Sequence, residues 1–178
     1  MRIFLTGDNH IGLKYASHEQ ASVLCEKRIE AFEGMVKKAN ADKCELFVIA
    51  GDLFENTYSV SKRTVKALLD ALSCFEGNVI VLPGNHDYYD KEVKVWQYFR
   101  DIMQTFDNIT LITEYKPYFI SCGDDDVVLY PALCTPLPVK TILVGSRKSR
   151  LKTMQLTTLE SHTAQSRAKP LIMRVSIS

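Results

Sequence analysis

The feature that most restricts this chain is Leu46-Phe47-Val48-Ile49-Ala50, five apolar residues in a row. A strand with one wet face alternates polar and apolar residues, so an unbroken run of this length reads as a central parallel strand covered on both faces. It stops at Gly51-Asp52-Leu53-Phe54-Glu55, where the chain turns acidic. The design occurs twice more. Arg2 to Thr6 reads as a strand entering Gly7-Asp8-Asn9-His10-Ile11-Gly12, and Val79-Ile80-Val81-Leu82 passes through Pro83-Gly84 into Asn85-His86-Asp87.

Helices are expected between these strands. His18 to Asn40 places Ala21, Leu24, Cys25, Phe32, Met35, Val36 and Ala39 at helical spacing. Ser59 or Ser61 can cap a second helix running through Cys74, with Val65, Leu68, Leu69 and Leu72 inward and Gly77 at the stop. Asp90 is expected to cap a third, to about Thr105, with Trp96, Phe99, Met103 and Phe106 as its stripe. Short strands are expected at 109–113, 118–122 and 127–130, the last two joined by Gly123-Asp124-Asp125-Asp126. That acidic triplet reads as a solvated turn, since the ligand spacing of a calcium loop is absent. His18 reads as a solvated or capping residue.

Strand, acidic loop and helix in repetition define an α/β protein. Right-handed crossovers put Asp8 and His10, Asp52, and Asn85 and His86 along one carboxyl edge of a parallel sheet. Each loop alone is weak evidence, because Asp and Asn beside Gly are ordinary turn formers. Together they form the donor set of two-metal phosphoester hydrolysis, in which ions about 3.5–4 Å apart neutralise the charge of an in-line displacement. Asp52, on the middle loop, is the carboxylate placed to bridge two ions. Asp8 and His10 complete one side, and Asn85 offers the other a carbonyl oxygen without adding negative charge. His86 is the candidate catalytic group, stabilising the phosphorus centre or protonating the leaving oxygen.

In order and spacing, Gly7-Asp8-Asn9-His10, Gly51-Asp52-Leu53-Phe54 and Gly84-Asn85-His86-Asp87 resemble the first three motifs of the calcineurin-like metallophosphoesterases. Within that superfamily the chain most resembles the SbcD-type nuclease subunits of bacterial DNA-repair exonucleases, through its long first helix, Gly-Asp-Leu-Phe-Glu and Tyr88-Tyr89. The resemblance covers residues 1 to about 136. It implies an αββα sandwich, two divalent ions of which Mn²⁺ is the expected metal, and cleavage of DNA phosphodiesters alongside an SbcC-like ATPase subunit. It also suggests a homodimer paired through helices near 61–75 and 91–105, the other reading of Trp96 and Phe99 being plain core packing. Family members supply three further histidines, whereas this chain has only His162 after Asp87. The first metal therefore keeps Asp8, His10 and Asp52, the second only Asp52 and Asn85, and the second site is expected to be weak.

Composition bounds the rest. In 178 residues, 46% hydrophobic and 24% charged, there is enough apolar material for one sizeable core. No window is apolar enough to cross a bilayer, and the first residues lack a signal-peptide pattern, so no membrane association and a cytoplasmic location are expected. Cys25, Cys44, Cys74, Cys122 and Cys134 read as small buried hydrophobes kept reduced. Net charge near +1 conceals a break near residue 138: 14 basic against 20 acidic residues before it, and 8 basic against Glu160 alone after it. Two parts are thus expected, 1–138 as the N-terminal part of the metallophosphoesterase domain and 139–178 as a basic, poorly ordered tail. That tail reads as a truncation or replacement of the domain's C-terminal half, or else as a basic arm gripping phosphates.

Three functions follow as expectations. The first is a metal-dependent phosphodiesterase acting on DNA ends. The second is a catalytically impaired remnant that binds a metal or a partner, and the third a phosphatase or nucleotide phosphodiesterase of the same superfamily. Tyr58, Arg63 and Tyr88, with Lys62 and Tyr89 nearby, are the candidates for stacking on bases or holding phosphates.

Overall fold

The computed structural model describes residues 1–15, 18–122, 125–134 and 155–157. Four parallel strands, β1 (Ile3–Thr6), β2 (Leu46–Ala50), β3 (Asn78–Leu82) and β4 (Ile109–Leu111), form a sheet in chain order. Their crossovers carry α1 (Ala21–Ala41), α2 (Lys62–Ser73) and α3 (Lys94–Met103). Then β5 (Tyr118–Cys122), β6 (Asp125–Tyr130) and β7 (Gln155–Thr157) form an antiparallel sheet.

The unbroken run in β2 has a direct cause. Phe47 and Ile49, with Val79 and Val81 of β3, turn to the helices and pack with Phe32, Val36, Leu68, Leu72, Trp96 and Phe99. Leu46, Val48 and Ala50, with Ile80 and Leu82, turn the other way onto Cys122, Val127 and Leu129 of the second sheet. Helices cover one face and a sheet covers the other, giving an α/β/β stack among the described residues. Every residue of β2 is buried, which at ~1.5–3 kcal/mol per large apolar side chain makes this strand the mechanical centre of the fold.

Local chemistry corrects several sequence expectations. Ser61, not Ser59, caps α2, its hydroxyl accepting the Thr64 N–H at 3.1 Å. Gly77 does not stop that helix, which ends at Cys74 in right-handed conformation; it is needed because a Cβ there would run into the Glu45 carbonyl. Asp90 does not cap α3. Its carboxylate accepts the Glu92 N–H and its carbonyl the Val93 N–H, making a turn one step earlier, and Val93 takes the cap position without a side-chain bond. Trp96 and Phe99 are fully buried in the core.

The cysteines carry no disulfide, but only Cys122 is buried. Cys25 and Cys74 are exposed, their thiols donating to the carbonyls of Leu13 in the first loop and Asp70 in the last turn of α2. His18 is exposed, its Nδ1 facing the Gln20 N–H at 3.5 Å. No described helix is long and apolar enough to cross a membrane. Gly123, Asp124, His162 and, apart from β7, the expected tail 139–178 lie outside the described residues. β7 pairs with β6, Leu129 opposite Leu156.

Candidate metal centre

The three polar loops meet because their backbones are zipped together. Where β1 ends, the Asp8, His10 and Ile11 N–H groups donate to the carbonyls of Gly51, Asp52 and Leu53, at 3.2, 3.0 and 2.8 Å, and Glu55 N–H returns to Ile11. The first loop thus runs beside the second almost as a further strand pair, with Ile11 bridged to Phe54. The third loop closes on the second at Gly84, where an added Cβ would collide with the carboxylate and amide of Asp52. One residue on, the His86 N–H donates to Asp52 Oδ1 at 2.9 Å. Asn85, exposed, sits between these two contacts and has partners of its own.

Strain marks the same positions. Among the described residues, four other than glycine have positive φ: Asp8 at 51°, His10 at 46°, Asp52 at 51° and Lys43 at 54°. Three of the four are candidate ligands. Left-handed backbone is uncommon outside glycine, Asp and His being among the residues that tolerate it best, and such residues persist where surrounding structure over-determines them. Here the zipped hydrogen bonds do so.

Asp8, His10 and Asp52 each offer a ligand atom within 4.8 Å of the others, and so do His10, Glu55 and His86. His10 belongs to both groups. Its Nε2 lies 3.9 Å from Asp8 Oδ1, its Nδ1 lies 2.9 Å from Glu55 Oε2, and its ring meets His86 edge-on at 4.9 Å. His86 Nδ1 lies 3.3 Å from the Glu55 carbonyl. With that nitrogen turned to the protein, Nε2 is the one left to exchange a proton with a ligand.

Asp87 is the buried brace of the third loop. Fully enclosed, its carboxylate accepts the Gly84 N–H at 2.6 Å and the Phe54 N–H at 2.9 Å. Burial pushes its pKa up to about 6, while the hydrogen bonds from Phe54 and Gly84 pull the other way. Trp96 Nε1 donates to the carbonyls of Asp87 and Tyr88, so the core tryptophan ties this loop down from beneath.

The donor set fits a divalent cation. Asp52 is 3% exposed, with the His86 N–H as a donor to it, beside the Asp8 carboxylate. Among the described residues no Lys or Arg forms an ion pair with Asp8, Asp52, Glu55 or Asp87. A buried carboxylate, Asp52, with an exposed one, Asp8, beside it and no Lys or Arg paired to either among the described residues is a set that attracts a cation from solution, and oxygen with imidazole nitrogen suits zinc, manganese or iron.

The structure therefore brings together Asp8, His10 and Asp52, and attaches His86 to them through its backbone. Tyr58, 87% exposed, lines a cleft with Lys62, while Tyr88 lines another hollow with Tyr89, Lys91 and Arg100. Arg63 is exposed at the start of α2. Sequence reasoning missed Glu55 and Arg28. Glu55 stood inside the second motif, three residues past Asp52, and was available to be read. Arg28 was not, since only the fold takes it from the middle of α1 to the carbonyls of Asn9 and His10, at 2.7 and 3.2 Å, with Tyr15 beneath its guanidinium.

This fold and donor set make a candidate divalent-metal site at the carboxyl edge of a parallel sheet. The sequence matches the calcineurin-like phosphoesterase family over residues 1–169, and the chain belongs to that family. No curated protein matches it. Among solved structures, the nuclease MPE of Pseudomonas putida is similar at 20% identity and a TM-score of 0.36. The match covers 65% of this chain and 49% of the nuclease, so the chain spans about half the length of that protein.

Proposed function

We propose that this chain is a divalent-metal phosphodiesterase of the SbcD type, cleaving DNA phosphodiesters with Mn²⁺ alongside an ATPase subunit. The observation that carries the reading is Asp52, a buried residue whose carboxylate accepts the His86 N–H of the third loop, whose carbonyl accepts the His10 N–H of the first, and which is grouped with Asp8 and His10. Asp8, His10 and Asp52 would hold the first ion, Asp52 and Asn85 a second and weaker one. A bound divalent ion supplies Lewis acidity toward the phosphate and lowers the pKa of water at the site. The chain's own residues do the rest. The zipped loops fix the ligands before metal arrives, and the Glu55 carbonyl orients the His86 imidazole. His86 carries a proton to the leaving oxygen through Nε2.

The test is hydrolysis of bis-p-nitrophenyl phosphate and of a DNA duplex end with Mn²⁺, in the wild type, Asp52→Asn and His86→Ala. Activity abolished by both substitutions supports the reading; activity indifferent to them assigns the hydrolysis elsewhere. A second reading, a one-metal binding remnant, is favoured by the short ligand list of the second ion. It predicts Mn²⁺ binding without turnover.

A further inference from the structure

A cleft of about 570 Å³ opens between the beginnings of α2 and α3, lined by Thr57, Tyr58, Val60, Ser61, Lys62, Val93, Lys94 and Tyr98. Two of these are lysines, two are tyrosines, and none is acidic. That composition is out of place on this body, which carries 20 acidic against 14 basic residues through Pro138. The cleft is tied to the loops of the metal centre through the chain, since Thr57 and Tyr58 follow two and three residues after Glu55 and Val60 packs against Gly12 of the first loop.

The side chains are deployed for use outward. Tyr58, 87% exposed, spends none of its ring on the core. The loop under it is nonetheless fixed, because Asn56 Oδ1 accepts the N–H groups of Tyr58 and Ser59 at 3.2 and 2.8 Å. Lys62 Nζ lies over the Tyr98 ring at 5.9 Å, which holds its ammonium at the wall without neutralising it. Lys94 is exposed and forms no ion pair among the described residues. An exposed aromatic face on a fixed loop, with two unpaired ammonium groups beside it, is the pattern that takes an unpaired nucleic-acid strand: stacking holds a base and the lysines hold phosphates, with little regard for sequence.

We propose that this cleft binds the single-stranded stretch of DNA flanking the phosphodiester at the metal centre, with Tyr58 as the stacking platform and Lys62 and Lys94 as the phosphate contacts. The proposal deepens the phosphodiesterase reading and rests on it. It accounts for how an acidic body receives a polyanion: the strand enters over local positive charge, and the metal site receives only the scissile phosphate.

The experiment is fluorescence anisotropy of a labelled oligothymidylate with the full chain, over a range of salt, for the wild type, Tyr58→Ala and the double variant Lys62→Ala/Lys94→Ala. Tyr58→Ala should weaken binding on the order of tenfold, the loss of one stacked base. The double variant should weaken it further and flatten the slope of log affinity against log salt by about 1.4, two phosphate contacts at ~0.7 each. Thermal melting checks that each variant is folded. Unchanged affinity and salt slope in folded variants would overturn the proposal, as would a duplex without single-stranded ends binding as well and with the same sensitivity. Hydrolysis of bis-p-nitrophenyl phosphate by the wild type reads the metal centre alone. Hydrolysis with insensitive oligonucleotide binding sinks the cleft and spares the centre; sensitive binding without hydrolysis does the reverse.

Discussion

The two ends of the parallel sheet use polar side chains in opposite ways. At the amino end, side-chain amides tie down backbone. Asn40 donates to the Cys74 carbonyl and accepts the Glu76 N–H, Asn108 donates to the carbonyls of Phe75 and Gly77, and Asn78 donates to Ser121 across to the second sheet. Glu45 there accepts the Arg2 N–H. At the carboxyl end the backbone is zipped loop to loop and braced by the carboxylates of Asp87 and Asp52, and Asp8, His10, Asp52, Glu55 and His86 face one another. Positive φ at three of these residues adds strain that the amino end shows only at Lys43. Polar groups at the first end serve the fold alone; at the second they are also gathered into a candidate ligand set. Substitutions at the two ends should therefore separate activity from stability.

The largest expected effect is at Asp52. Asp52→Asn keeps an acceptor for the His86 N–H but removes the charge, and hydrolysis should fall by more than ~100-fold, since even partners outside the ligand shell commonly account for 10–100-fold. The melting temperature in chelator should hold or rise as like charges are relieved. A melting temperature that collapses instead would make Asp52 a fold residue and erase the contrast.

Gly84→Ala should act on both properties. Its Cβ collides with Asp52, so stability should drop by ~1–3 kcal/mol through overpacking, and hydrolysis should suffer along with it. Denaturant unfolding and steady-state rates measure the two, and full activity in this variant would show that Asp52 is free to move.

Asp87 sharpens the comparison through pH. Its pKa is raised from 3.8 to about 6, so the folded chain holds that proton more firmly than the unfolded one. Its contribution is fully present below about 3.8 and is lost as pH rises through about 6, on the order of 2–3 kcal/mol in all. In chelator, the stability advantage of the wild type over Asp87→Asn should shrink between about pH 4 and pH 7. A gap that widens over that range would mean the two backbone N–H groups outweigh burial.

The smallest effect belongs to the amino end. Asn108→Ala leaves the Phe75 and Gly77 carbonyls short of a donor and should cost ~1–2 kcal/mol, with specific activity per folded molecule unchanged. A variant that lost activity while keeping its stability would break the contrast from the other side.

Much of this was legible in the residues. Leu46–Ala50 and Tyr118–Cys122 are strands with the expected bounds, because short runs of apolar and aromatic residues bounded by Gly, Pro and acidic residues are a pattern a sequence writes plainly. Asp8, His10 and Asp52 could be placed on one edge from topology alone. What covers the second face of β2 could not be read from its own composition, since a helix and a sheet bury Val48 equally well. Asp90 misled because Asp favours turns and caps alike, and only the geometry shows the turn preceding Val93. Cys25 and Cys74 misled because a thiol can stay at the surface with a backbone carbonyl as its partner, here Leu13 and Asp70. The role of Arg28 depends on a contact spanning 19 residues to Asn9, and no local pattern encodes that.

The most direct measurement is a Mn²⁺ titration followed by electron paramagnetic resonance on the wild type, Asp8→Asn and Asp52→Asn. The account predicts one tightly held ion in the wild type, a second bound at least ~10-fold more weakly because it has fewer protein ligands, and loss of the tight ion in both variants. Tight Mn²⁺ binding that survives both substitutions would contradict it.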